Sequence, residues 1–197
     1  MHTLKRVQVI EVVASDSLNN QVAYELIQQL RELPTGDGKA YEGIVKDILE
    51  YCFRGEFDFS PFEVQEQVVT YNGKRIRDFI IDNRYPKMGF WRDLKYVRKV
   101  EKILFDAKNY KDPITYSEIA STIRYLHRNK AFGNFIIIIS RWGVRELEEF
   151  IEAYSDSDEI ALSLSDEDLI NMINLKKEGK SPSSLVDQKY HEFLGKK

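Results

Sequence analysis

Cysteine is nearly absent. Cys52 stands alone, so no internal disulfide can form and the fold must rest on its core. Cys52 falls on an apolar helical stripe and reads as a buried structural thiol. Histidine is scarce as well: His2, His127 and His191 are scattered, without the spacing of a zinc site. No long apolar run occurs. The longest, Phe135 to Ile139, is far too short to span a bilayer. The N-terminus lacks the apolar stretch of a secretory signal. A cytoplasmic protein with no membrane partner is therefore expected. Internal repeats and low-complexity linkers are not seen either.

What is present is the composition of a soluble globular chain, 43% hydrophobic and 31% charged over 197 residues. The formal net charge of −3 argues against a general nucleic-acid binder. Its distribution is uneven. From Tyr71 to Lys111, twelve Lys and Arg residues outnumber five Asp and Glu, whereas Glu146 to Asp168 has ten acids and no base. A positive middle suits a polyanionic partner; a charge run that is only a solvated face is the plainer reading.

Residues 1–34 read as an N-terminal extension: a β-branched strand over 4–14, then a helix capped by Asp16 or Ser17 and running to about Leu33. Pro34-Thr35-Gly36-Asp37-Gly38 ends it. Residues 35–197 read as one domain with its core at 39–143. Asp37 can cap a helix over 39–53, whose apolar positions Tyr41, Ile44, Val45, Ile48, Leu49, Cys52 and Phe53 form one stripe. Glu42 lies at the edge of that stripe. A strand over 62–71 and a second ending near Asp82 flank Asn72-Gly73, a strong hairpin signal. A two-residue turn there sets Tyr71 opposite Lys74, Val69 opposite Ile76 and Gln67 opposite Asp78. Residues 84–100 interleave Arg84, Lys87, Arg92, Lys95, Arg98 and Lys99 with Tyr85, Phe90, Trp91 and Tyr96. Such mixing suits phosphate contact and base stacking; a helix packing Phe90, Leu94 and Val97 on a sheet fits equally. A strand over 102–109, a helix over 115–129 and a buried strand over 135–139 imply a parallel crossover. A helix over 144–154, a strand over 159–163, a capping box at Ser165 and Asp168, and two final helices close the chain.

Asp106 and Lys108 are two apart on one strand and so share a face. Asp78 can reach the same place if its strand pairs with that one. Carboxylates and an amine at a sheet margin suit a hard divalent cation and an activated water.

The order helix, strand, strand, strand, helix, strand, with Glu42, Asp78, Asp106 and Lys108 on successive elements and Asn109-Tyr110 after the lysine, resembles the PD-(D/E)XK superfamily. This is the fold of restriction endonucleases and of Mrr-like and resolvase-like nucleases. The resemblance implies an α/β restriction-endonuclease-like αβββαβ core, with a mixed central sheet flanked by helices and helical additions at both ends. It implies Mg²⁺, with Mn²⁺ able to substitute, held by Asp78, Asp106 and the carbonyl of Ala107. Lys108 would steady the water and phosphate, and Glu42 would act through a water or a second metal. The implied reaction is endonucleolytic hydrolysis of phosphodiesters, DNA ahead of RNA, in restriction or anti-phage defence. Contacts to nucleic acid would come from Lys74, Arg75, Arg84, Arg92, Lys95, Arg98, Asn109 and Lys111. A homodimer or a partner subunit would supply targeting. Two features depart from the family pattern: Asp106 stands where Glu is usual, and Arg77 precedes Asp78 where Pro is usual. Glu101, the other acid of this strand, faces the opposite way, and Arg124 and Tyr125 fall where members often keep a substrate-positioning residue. An RNase or toxin of the same fold, and a non-catalytic nucleic-acid or protein binding module, are the competing expectations.

Overall fold

The computed structural model describes residues 18–66, 79–87, 89–124, 126, 130–145, 151 and 158–196. Its centre is a mixed five-stranded sheet in the order β1 (Gln65–Glu66), β2 (Phe79–Asp82), β3 (Lys102–Lys108), β4 (Phe135–Ser140), β5 (Ile160–Leu164). The first two pairings are antiparallel and the last two parallel. Around the sheet lie α1 (residues 18–32), α2 (Gly38–Phe53), α3 (Phe90–Arg98), α4 (Tyr116–Ile123), α5 (Asp166–Lys177) and α6 (Ser183–Lys196). The α/β class and the helix-flanked mixed sheet agree with the sequence reading.

Hydrophobic pattern accounts for most of this. All six residues of β4, Phe-Ile-Ile-Ile-Ile-Ser, are buried, as a central strand covered on both faces requires. Each buried isoleucine contributes on the order of 2 kcal/mol. On α2 the buried residues Tyr41, Val45, Ile48, Leu49, Cys52 and Phe53 are those of the stripe, and Asp37 caps the helix by accepting from the Ala40 amide at 3.0 Å. The box at Ser165 and Asp168 opens α5. The rungs Gln65↔Ile80 and Glu66↔Phe79 continue the register expected from Asn72-Gly73. The turn itself, the pair Gln67 and Asp78, and the strand expected over 4–14 lie outside the described residues.

Three expectations change. First, Phe62 and Val64 are buried but precede the strand; only Gln65–Glu66 is strand among the described residues of that stretch. Second, α4 ends at Ile123, and Leu126 and a 3-10 turn at Lys130–Phe132 carry its apolar face onward. Third, Val97 is 71% exposed and Trp91 takes the buried place instead. Trp91 packs edge-on against Phe53 at 5.0 Å between centroids and donates to Glu56 at 2.5 Å. The helix ends at Arg98, and Lys99 caps it at φ 60°, so Val97 lies in its last turn.

Helix α1 belongs to the same core through Ala23, Leu26 and Leu30. No helix among the described residues is long and apolar enough to cross a membrane.

Gly133 enters β4 at φ +54°, and a Cβ there would lie 2.8 Å from Val100 Cγ2 and 3.0 Å from the Arg98 carbonyl oxygen. Gly133→Ala should lower unfolding free energy by about 1–3 kcal/mol, from left-handed backbone strain and this close approach. Urea denaturation measures it.

Candidate active site

Side chains alternate along β3. Phe105 faces α2, its ring 6.4 Å from Phe53. Asp106 therefore faces the other way, toward α4. It is 4% exposed, and a carboxylate so placed is costly unless paired and hydrogen-bonded. Both oxygens are engaged. Oδ1 accepts from Lys108 Nζ at 2.8 Å, and Oδ2 accepts from the Thr122 hydroxyl at 3.1 Å. The shared face expected of Asp106 and Lys108 is thus present.

Thr122 is supplied by α4. The Thr115 amide and hydroxyl both donate to Glu118 Oε2, at 2.8 and 2.9 Å, within a capping box that fixes the first turn. Thr122 falls one turn after Glu118. Its Oγ1 also lies 3.1 Å from the Glu118 carbonyl oxygen, so one proton is shared between backbone and carboxylate. Sequence reading passed over Thr122 because a threonine on a helix carries no signal of its own.

Beyond Lys108 the chain meets a second polar cluster. Asn109 is 6% exposed. Its amide donates to the Pro34 carbonyl at 3.1 Å and to the Asp37 carbonyl at 2.8 Å, and its Oδ1 accepts from Arg141 Nε at 2.7 Å. Its backbone oxygen accepts from the Gly36 amide at 3.2 Å. Asn109 was expected to touch nucleic acid; instead its side chain is committed within the fold. Arg141 also donates to the Leu33 carbonyl, lies 3.7 Å from Asp166 and covers the Tyr41 ring at 5.5 Å. Tyr41 donates to Asp166 at 2.7 Å. Burial, with Asp166 beside it, pushes the Tyr41 hydroxyl well above the usual phenol range. Burial likewise raises Asp166, against the opposing pull of Tyr41 and Arg141.

The other expected residues fall elsewhere. Glu42 is half-buried on α2, the helix that packs against the Phe105 face, and makes none of the described hydrogen bonds or ion pairs. Arg84 pairs with Asp82 at 2.7 Å. Lys95 donates to the Arg84 carbonyl and lies near the Tyr85 and Tyr96 rings at 5.9 and 5.6 Å. Arg98 donates to the Tyr190 hydroxyl at 2.8 Å. Arg92 and Lys111 are exposed. Asp82 pairs with Lys102 in the ladder, so Arg84 and α3 stand at the start of β3, about 20 Å of strand from Lys108. Lys74, Arg75 and Asp78 lie outside the described residues.

As a metal site the described set is incomplete. Asp106 offers carboxylate oxygens that keep lone pairs beyond those used by Lys108 and Thr122. Among the described residues, no group of three His, Cys, Asp or Glu side chains converges to hold an ion. The last described rung between β2 and β3 is Phe79↔Phe105. Asp78 directly precedes the one residue and Asp106 directly follows the other.

No family model matches the chain, and no match is found among curated proteins. Among solved structures the chain is similar to the DNA modification-dependent restriction endonuclease AspBHI, with 13% identity and a TM-score of 0.45. The match covers 89% of this chain and 40% of that one, so the chain spans well under half of its length. A likeness of this degree assigns no role to any residue.

Thr122→Val, which keeps shape and removes the donor, should cost about 1–3 kcal/mol in urea denaturation. In an Asp106→Ala background that cost should fall by about 1 kcal/mol or more, the coupling expected of a direct bond. Equal costs in both backgrounds would show that the hydroxyl serves the helix alone.

Proposed function

We propose that the chain is a metal-dependent endonuclease that hydrolyses phosphodiester bonds, with DNA ahead of RNA as substrate. One observation carries this reading: a nearly buried Asp106 is held 2.8 Å from Lys108, two residues on, at the end of an inner strand. A fold optimised for stability alone would gain by an apolar residue there, because buried ion pairs seldom repay their desolvation. The same pair beside a phosphodiester has a chemical use.

In this reading Asp106, the Ala107 carbonyl and Asp78 would hold a Mg²⁺ ion, with Glu42 acting through a water. The ion, when bound, would acidify a water and offset the charge of the attacked phosphate. The protein groups do the rest. The ammonium of Lys108 orients the attacking water and stabilises negative charge on the phosphate oxygens. Water, giving up a proton to solvent, adds to phosphorus, the bond to the leaving sugar oxygen breaks, and that oxygen takes up a proton from solvent. Thr122 keeps the Asp106 carboxylate turned toward the site. Binding of the polyanion would draw on exposed cations such as Lys111 and Arg92, and a second copy or a partner subunit would supply targeting.

Purified protein should nick supercoiled plasmid in Mg²⁺ or Mn²⁺ and stop in EDTA. Asp106→Asn and Lys108→Ala should each lower the rate by about a hundredfold or more. Equal cleavage by the wild type and both variants would overturn the reading. RNA digested while DNA is spared would move the substrate and keep the site.

A further inference from the structure

We infer that Arg141 is a positioning residue: its guanidinium fixes the end of β3, which carries Lys108, against the loop 33–37 and the first turn of α2. The functional half of this inference rests on the nuclease reading above; the structural half does not.

Position comes first. Lys108 pairs with Ser140 in the parallel ladder, so the next residues along the two strands are Asn109 and Arg141. The ladder stops there, and side chains take over. Arg141 Nε donates to Asn109 Oδ1 at 2.7 Å. The same guanidinium donates to the Leu33 carbonyl and lies within 3.4 Å of that of Pro34. Asn109 donates in turn to Pro34 and Asp37, so one loop is gripped from two strands. Asp37 is the residue whose carboxylate caps α2.

The planar fork of arginine suits this task. It reaches a side-chain oxygen, two carbonyls and a carboxylate at once, while its face covers Tyr41. Lysine could satisfy one or two of these partners. The side chain is only 9% exposed, so a charge has been placed inside at some cost. Its nearest carboxylate, Asp166, is shared with the Tyr41 hydroxyl at 2.7 Å. Five segments therefore meet on one guanidinium: the loop after α1, the start of α2, the ends of β3 and β4, and the first residue of α5.

The consequence is directional. Asp106 and Lys108 face α4, whereas Glu42 sits on α2 behind the other face of β3. Asn109, at the end of β3, is bonded to the Asp37 carbonyl at the start of α2, and Arg141 holds Asn109 from the other side.

Two variants, Arg141→Lys and Arg141→Ala, test this by hydrogen exchange and by plasmid nicking. Exchange should rise at least tenfold at the Gly36 and Ala40 amides, which bond to Asn109 and Asp37. Amides of β4 should stay protected, which shows that the variant is folded. The turnover number should fall about tenfold or more with KM for DNA unchanged, and methylguanidinium should restore part of the Arg141→Ala rate. Unchanged exchange at Gly36 and Ala40 would overturn the inference whatever the activity. A rise in KM with turnover intact would also overturn it, placing Arg141 on the substrate instead. Raised exchange in the variants, with a wild type that never cleaves, would leave the clamp standing and remove the nuclease reading.

Discussion

The structure depends on one unfavourable act, the burial of a carboxylate. Asp106 sits where β3 is covered on both sides, by β2 through Phe79↔Phe105 and by β4 through Asp106↔Ile138. Left unpaired there, the charge would cost several kcal/mol. Two groups offset it, and each imposes a requirement. Lys108 must lie two residues on, which fixes the strand as regular to its end. Thr122 must come from the crossover to β4, which fixes where α4 starts and how it is rotated. The capping box at Thr115 and Glu118 meets that second requirement by setting the helix's first turn.

The carboxyl ends of the parallel strands gather polar residues in the same way. Asn109 follows β3, Arg141 follows β4, and Ser165 and Asp166 follow β5. In open α/β sheets this edge is where ligands are usually met, because side chains from several strands converge there without needing to cross the core. Here much of that edge is already used. Asn109, Arg141, Asp166 and Tyr41 satisfy one another and the 33–37 loop, while Asp106 and Lys108 pair with each other on the face toward α4. The cluster is better understood as the frame of the site than as its lining.

Much of this was legible in the sequence, for definable reasons. The run Phe135 to Ile139 could only be a buried strand. The stripe of α2, the box opening α5 and the register implied by Asn72-Gly73 each rest on local rules, and the described rungs obey them. Asp-x-Lys on one face follows from strand geometry alone. What could not be read depends on tertiary partners. Thr122 and Arg141 look like ordinary residues until their contacts are known. Asn109 was expected among the nucleic-acid contacts from its place after Lys108; the returning loop from α1, distant in sequence, buries it. Val97 fitted the helical period, but it lies in the exposed last turn of α3 while Trp91 is buried. In the sequence reading the boundary between extension and domain falls after Pro34, inside the 33–37 loop, and the links of that loop to Asn109 and Arg141 are invisible to any local pattern.

Charge density along a sequence is also not charge density in space. The cations between Tyr71 and Lys111 seemed to surround the carboxylates. Among the described residues, folding spreads them along β3: Arg84, Lys95 and Arg98 stand at its start, bonded to neighbours of their own, while Lys108 and Lys111 stand at its end. With about 3.3 Å per residue the two groups are some 20 Å apart, roughly six nucleotides of a single strand at 3.4 Å each. Under the nuclease reading, a phosphate at Lys108 would therefore gain little from the α3 cations unless the polymer continued along the sheet. Affinity that grows with substrate length up to about that size, at constant charge per nucleotide, is what this separation requires of a polyanion that uses both ends.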